Sequence, residues 1–153
     1  MPKQSKSDIL TDLILEVFRL NGRLIAAGDA LVARIDLTSA RWQVIGAVAL
    51  AKEARPVAHI AQAMGLTRQS VQRIVDELAL AGFVSFQPNP HHKRAKLVAL
   101  TPKGTAAADA ATRLQKPWAE GLAAVADRQA LEATLRTLAR LRAHLEDTSG
   151  ETP

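Results

Sequence analysis

Residues 57–82 read VAHIAQAMGLTRQSVQRIVDELALAG, and their spacing decides the fold. Val57, Ile60, Ala61 and Met64 recur at three- and four-residue intervals, as on one face of a short helix. Val71, Ile74, Val75 and Leu78 repeat the pattern in a second helix. Between them, Gly65-Leu66-Thr67 leaves room only for a tight turn, and glycine supplies the positive φ that such a turn needs. Ala61 is small where the first helix must approach the second, and Val71 packs back between the two. Gly82 suits the end of the second helix. The spacing predicts a helix–turn–helix.

The face of the second helix opposite its apolar stripe carries Arg68, Gln69, Gln72, Arg73, Asp76 and Glu77. Its first turn, Thr67-Arg68-Gln69-Ser70, offers unpaired backbone N–H groups and the positive end of a helix dipole, both suited to phosphate. A recognition helix enters the major groove by that end. Arginine there can bond guanine O6 and N7, and glutamine adenine N6 and N7. Thr67, Arg68, Gln69, Ser70, Gln72 and Arg73 are therefore candidate DNA contacts, with Thr67 and Ser70 equally suited to capping the helix.

After Gly82 the period changes to two. Val84 and Phe86 alternate with Ser85 and Gln87, Asn89–Arg94 is polar with a turn signal, and Lys96–Leu100 returns. This is a two-stranded hairpin with His91, His92, Lys93 and Arg94 at its tip. Residues 67–103 hold six cations, Arg68, Arg73, Lys93, Arg94, Lys96 and Lys103, against only Asp76 and Glu77. That net +4 is most of the chain's formal +5. Protonation of His91 and His92 at lower pH would add to it.

The flanks read as helix. Leu10, Leu13, Ile14, Val17, Leu20, Leu24 and Leu31 stripe residues 8–33, with Gly22 and Gly28 as weak points. Thr38 or Ser39 caps a second helix to about Ala51, with Trp42, Ile45 and Val48 or Ala49 inward. The stretch Ala54-Arg55-Pro56 breaks the chain. Thr101-Pro102 reopens helix, cap followed by first helical position, to about Ala126, with a kink at Pro117. Asp127 caps a last helix with a seam of Leu131, Leu135, Leu138, Leu141 and Leu145. Residues 147–153 read as a frayed tail.

Composition narrows the function. At 153 residues, 48% hydrophobic and 23% charged, the chain suits one ordered domain. No apolar run reaches the ~20 residues of a membrane span, and the polar start at Met1–Asp8 lacks the apolar centre of a secretory signal. A cytoplasmic, nucleoid-associated protein is expected. There is no Cys and no Tyr, no Gly-rich phosphate loop and no paired-carboxylate constellation, so the sequence reads as non-enzymatic. No cofactor is expected. Nor is a metal, because no spacing makes three of His59, His91, His92 and His144 converge.

Four segments together resemble the MarR family of bacterial winged-helix regulators. They are Leu37-Thr38-x3-Trp42-x-Val44; Ile60-Ala61-x2-Met64-Gly65-Leu66-Thr67; Val71-x2-Ile74-Val75-x2-Leu78-x2-Ala81-Gly82-Phe83-Val84; and Asn89-Pro90-x3-Arg94-Ala95-Lys96-Leu97-Val98-x-Leu100-Thr101-x2-Gly104. The pattern covers nearly the whole chain. It implies a mainly α fold with a small β-hairpin wing: a winged helix–turn–helix over 38–103 and dimerisation helices over 8–36 and 104–147 of a single domain, 1–153. The resemblance further implies a homodimer on a pseudo-palindromic double-stranded DNA operator, acting as a repressor, with Arg94 as the wing arginine in the minor groove. The family's usual Asp two residues earlier is His92 here, which cannot be an anion. Many members respond to small aromatic or phenolic acids. Trp42, Arg23, Arg41 and His59 are the corresponding candidates here, each with a structural reading beside it: core for Trp42, surface ion pairs for the arginines, a solvent-side position for His59. The rival function is a basic chromosome-associated protein that binds DNA without sequence preference.

Overall fold

The computed structural model describes residues 3–149. The described chain is mainly helical. The order is α1 (Lys6–Val32), a 3-10 turn (Ala33–Ile35), α2 (Ser39–Ala51), β1 (Arg55–Pro56), α3 (Val57–Met64), α4 (Arg68–Leu80), β2 (Val84–Gln87), β3 (Leu97–Leu100), α5 (Pro102–Ala123) and α6 (Arg128–Ser149). It divides into two compact units, with the boundary between Gln115 and Lys116.

The first unit holds the winged helix. Its core draws on the helices and the wing strands: Val32 closes α1, Val44, Ile45 and Val48 come from α2, Val71, Val75 and Leu78 from α4, and Val98 from β3. Full burial of each such side chain contributes about 1.5–3 kcal/mol. The expected stripes of α3 and α4 all face this core, Met64 less completely than the rest. In α2 the choice between Val48 and Ala49 falls to Val48.

The helix ends follow local chemistry. Ser5 and Asp8 form a reciprocal capping box on α1. Hydrogen bonds from the Ser5 side chain and then its backbone N–H hold the Asp8 carboxyl below its ordinary range, so this cap weakens as pH falls through the carboxylate range. Thr38, rather than Ser39, caps α2. Asp29 adds its own carboxylate to that end, accepting from the Ser39 N–H at 2.7 Å. Gly65 sits at φ +65° and ends α3, as the tight turn requires. Asp127 caps α6, accepting from the Ala130 N–H at 2.8 Å.

Several expectations are corrected. The hairpin is joined by a third strand. β1 pairs antiparallel with β3, Arg55 opposite Val98 and Pro56 opposite Leu97, giving the order β1-β3-β2. Two residues ending in proline carry no alternation to read, so only the tertiary partner reveals them. α1 runs unbroken through Gly22 and Gly28. Gly28 is buried against α2, where an added Cβ would come within 2.8 Å of Ser39 Oγ. α5 stops at Ala123 rather than near Ala126, with Pro117 inside it. Residues 147–149 continue α6, and the rest of the expected tail lies outside the described residues.

The second unit carries the last turns of α5 and all of α6, where Leu131, Leu135 and Leu145 are exposed. In the first unit the outer side of α1 is equally apolar: Ile9, Ile14, Leu15, Phe18 and Leu20 are all exposed.

At the base of the wing the chain closes tightly. The Gly104 Cα is so near the Phe83 carbonyl that an added Cβ would meet its oxygen at 1.9 Å. Gly104→Ala is expected to lower stability by about 1–3 kcal/mol through forced backbone displacement. Gly46 lies within α2 with nothing within 4 Å of an added Cβ. Gly46→Ala should raise stability by about 0.5–1 kcal/mol through helix propensity. Thermal or urea unfolding of both variants checks the pair; equal effects would contradict the close approach.

Candidate nucleic-acid interface

Helix α4 begins at a doubly bonded cap. Thr67 Oγ1 accepts from the Ser70 N–H at 3.2 Å, and Ser70 Oγ donates to the Thr67 carbonyl at 3.0 Å. Both hydroxyls are therefore engaged in holding the first turn. Arg68, Gln69, Gln72 and Arg73 project from it, all exposed.

Two depressions flank α4. A cleft of about 1030 Å³ separates it from the wing and is bordered by Arg68, Gln72 and Asp76 on one side and by His91, His92, Arg94 and Lys96 on the other. A shallower trough of about 670 Å³ runs along the far side, past Gln69, Arg73 and Leu80. Arg68, Gln72 and Asp76 border both, so they form the crest of the helix. Helical spacing explains this, since residues four apart stack on one face.

Among the described ion pairs, none uses Arg68, Arg73, Lys93, Arg94 or Lys96. Their charges are left to solvent and to any anion that approaches. The acids of α4 are engaged. Glu77 pairs with Arg41 of α2 at 3.3 Å, and Asp76 accepts from Gln72 Nε2 at 2.9 Å. This part-buried Arg41–Glu77 pair offsets the charge of one of the two acids on α4.

The wing is ordered by a residue that its sequence marks only as a turn signal. Asn89 Nδ2 donates to the Ala95 carbonyl at 2.9 Å, and Asn89 Oδ1 accepts from the His91 N–H at 3.0 Å. The Asn89 carbonyl accepts from the His92 N–H at 3.3 Å, and the His92 carbonyl from the Ala95 N–H at 3.2 Å. Among the described hydrogen bonds, the His92 side chain has none. The loop is closed by Asn89 and backbone, without an acid at position 92. The signal was available in Asn89-Pro90, because asparagine readily bonds backbone two residues on.

The root of the wing is fixed to the end of α4. Thr101 Oγ1 donates to the Gly82 carbonyl at 2.6 Å and accepts from the Gly104 N–H at 3.1 Å. Lys103 Nζ donates to the Ala81 carbonyl at 2.7 Å and lies 4.5 Å from the centroid of the Phe83 ring. A cation at a helix C-terminus complements its dipole.

The four candidate effector residues lie on three helices, Arg23 on α1, Arg41 and Trp42 on α2 and His59 on α3. Arg23 is exposed on α1, Arg41 has Glu77 as counter-ion, and Trp42 is half-buried against the core. Of the four, only His59 borders the cleft. Phe86 was legible only as a strand residue; it too borders the cleft, 38% exposed. Among the described residues, no group of three or more His, Asp or Glu side chains could hold a metal ion, and no helix is long and apolar enough to cross a membrane.

Comparison with known proteins places this architecture. The MarR family model matches residues 35–95. An uncharacterized protein of Mycobacterium tuberculosis H37Rv, Rv2011c, is 35% identical over 135 residues, spanning 88% of this chain and 93% of that protein. The crystal structure of Sco5413, a MarR family transcriptional regulator from Streptomyces coelicolor, aligns with a TM-score of 0.75 and 28% identity, over 90% of this chain and 95% of that one. A mutant MarR from Escherichia coli complexed with operator DNA aligns with a TM-score of 0.78 at 19% identity, over 90% and 99% of the two chains. The helix–turn–helix, the wing and their flanking helices thus have their counterpart in transcription regulators rather than enzymes, and this chain belongs to the MarR family.

Proposed function

We propose that the protein is a sequence-specific, homodimeric DNA-binding repressor that grips a pseudo-palindromic operator. The observation that carries this reading is the single basic surface formed by the crest of α4 and the wing. Residues 38–103 act as the winged helix–turn–helix. Arg68, Gln69, Gln72 and Arg73 meet base edges or phosphates in the major groove, with Thr67 and Ser70 holding the helix start. Arg94 reaches the minor groove, and His91, His92 and Lys93 meet the backbone.

One winged helix gives few phosphate contacts, and non-specific binding of that kind is on the order of 10⁻⁴–10⁻⁶ M at physiological salt. Two half-sites a helical turn apart raise both affinity and the length of sequence read. The helices at 8–36 and 104–147 provide the coupling. The exposed apolar side of α1 and, separately, the leucines of α6 are what a second copy would cover. The crystallised relative bound to operator DNA supports the DNA partner. Such a partner puts the working protein at the nucleoid. A small aromatic or phenolic acid that weakens DNA binding is the effector class, with Trp42, His59, Arg23 and Arg41 as candidate contacts. Arg41 would have to exchange Glu77 for the ligand's carboxylate. A thermal-shift screen of such acids tests this.

Wild-type protein is expected to bind a palindrome from the DNA upstream of its own gene far more tightly than random duplex across a salt series. Equal affinity would favour the basic chromosome-coating alternative. Arg94→Ala should weaken binding and reduce the salt slope by about 1 per half-site. Leu135→Asp should shift the sedimentation coefficient from dimer to monomer, and an unchanged value would remove α6 from the interface.

A further inference from the structure

The acid at position 76 is out of keeping with its surroundings. It stands on the crest of α4, between Arg68 and Gln72 on one side and the wing cations across the cleft. Its neighbour Glu77 is neutralised by Arg41. Asp76 has no cation among the described ion pairs, and its described side-chain hydrogen bond comes from Gln72. An unneutralised carboxylate facing DNA opposes phosphate and lowers affinity, so its presence calls for a compensating role.

Its geometry supplies one. Gln72 Nε2 donates to Asp76 Oδ1 at 2.9 Å, one helical turn apart. A carboxylate only accepts, whereas a glutamine amide has a donating and an accepting end. Turning the Gln72 amide over would set Oε1 against Oδ1, two acceptors facing each other. Asp76 therefore holds Gln72 in one orientation, with Oε1 and the second N–H left for a partner. Adenine presents an N6 donor beside an N7 acceptor in the major groove, which match these two atoms. Guanine presents acceptors at both O6 and N7, so its O6 would oppose Oε1. An unrestrained glutamine could turn its NH₂ toward guanine instead.

We propose that Asp76 is a specificity-determining positioning residue: by fixing the Gln72 amide it makes that position select adenine over guanine, at some cost in affinity. The inference rests on the sequence-specific reading proposed above.

The test is selection from a randomised duplex pool with the full-length protein, comparing wild type with Asp76→Asn, Asp76→Ser and Gln72→Ala. Thermal unfolding of each variant confirms that it is folded. Wild type should prefer adenine to guanine at one position per half-site by about tenfold, within the discrimination of a good bidentate pair. Gln72→Ala should lose that preference. Both Asp76 variants should relax the same position to about twofold or less and bind total DNA more tightly. If wild type selects no consensus, the sequence-specific reading falls and takes this inference with it. If a consensus emerges but the Asp76 variants leave it unchanged, the pair only stabilises the helix and this inference alone is overturned. A change at a different position from that of Gln72→Ala would mean that Asp76 reads a base itself, which also overturns it.

Discussion

The contact between Gly104 and the Phe83 carbonyl is the constraint on which the winged helix depends. The sheet returns from the wing and must enter α5 directly beside the end of α4. No side chain fits between them, since a Cβ at position 104 would overlap the Phe83 oxygen. Thr101 and Lys103 then bond the Gly82 and Ala81 carbonyls, which the end of α4 would otherwise leave open. Three neighbouring residues thus tie α4, the wing and the following helix to one point. Any tilt of α4 relative to the wing would have to break these bonds together.

From that point the exposed surface of α4 and the wing follows. Thr67 and Ser70 fix the start of α4 as Thr101 and Lys103 fix its end. Between those ends, Val71, Val75 and Leu78 anchor one face in the core. The opposite face has nowhere to go but outward, so Arg68, Gln69, Gln72, Arg73 and Asp76 are exposed along it. Asn89 does the same for the wing by closing the loop that carries Arg94.

The charge on this surface is arranged rather than merely accumulated. The cations of α4 and the wing lack acid partners among the described residues, while both acids of α4 are engaged. Arg41 offsets the charge of Glu77 and is thus tied to α4, although it belongs to α2 and its sequence neighbours say nothing of α4.

The helix–turn–helix and its boundaries were legible in the residues because they depend on local rules. Three- and four-residue spacing marks a buried face, Gly65 marks a positive φ, and Thr67, Thr101 and Asp127 mark caps. The candidate DNA contacts were legible too, as the polar side of an amphipathic helix beside a basic hairpin. The third strand was not, because Arg55-Pro56 becomes a strand only when β3 lies alongside it. Nor were Gly28 as a point of close helix approach or the Arg41–Glu77 pair. Sequence alone determined the helices, the two strands of the wing and which faces are apolar, since those follow from neighbours within one or two turns. Tertiary structure decided which distant side chains meet, since hydrogen bonds and ion pairs depend on distances that only packing sets.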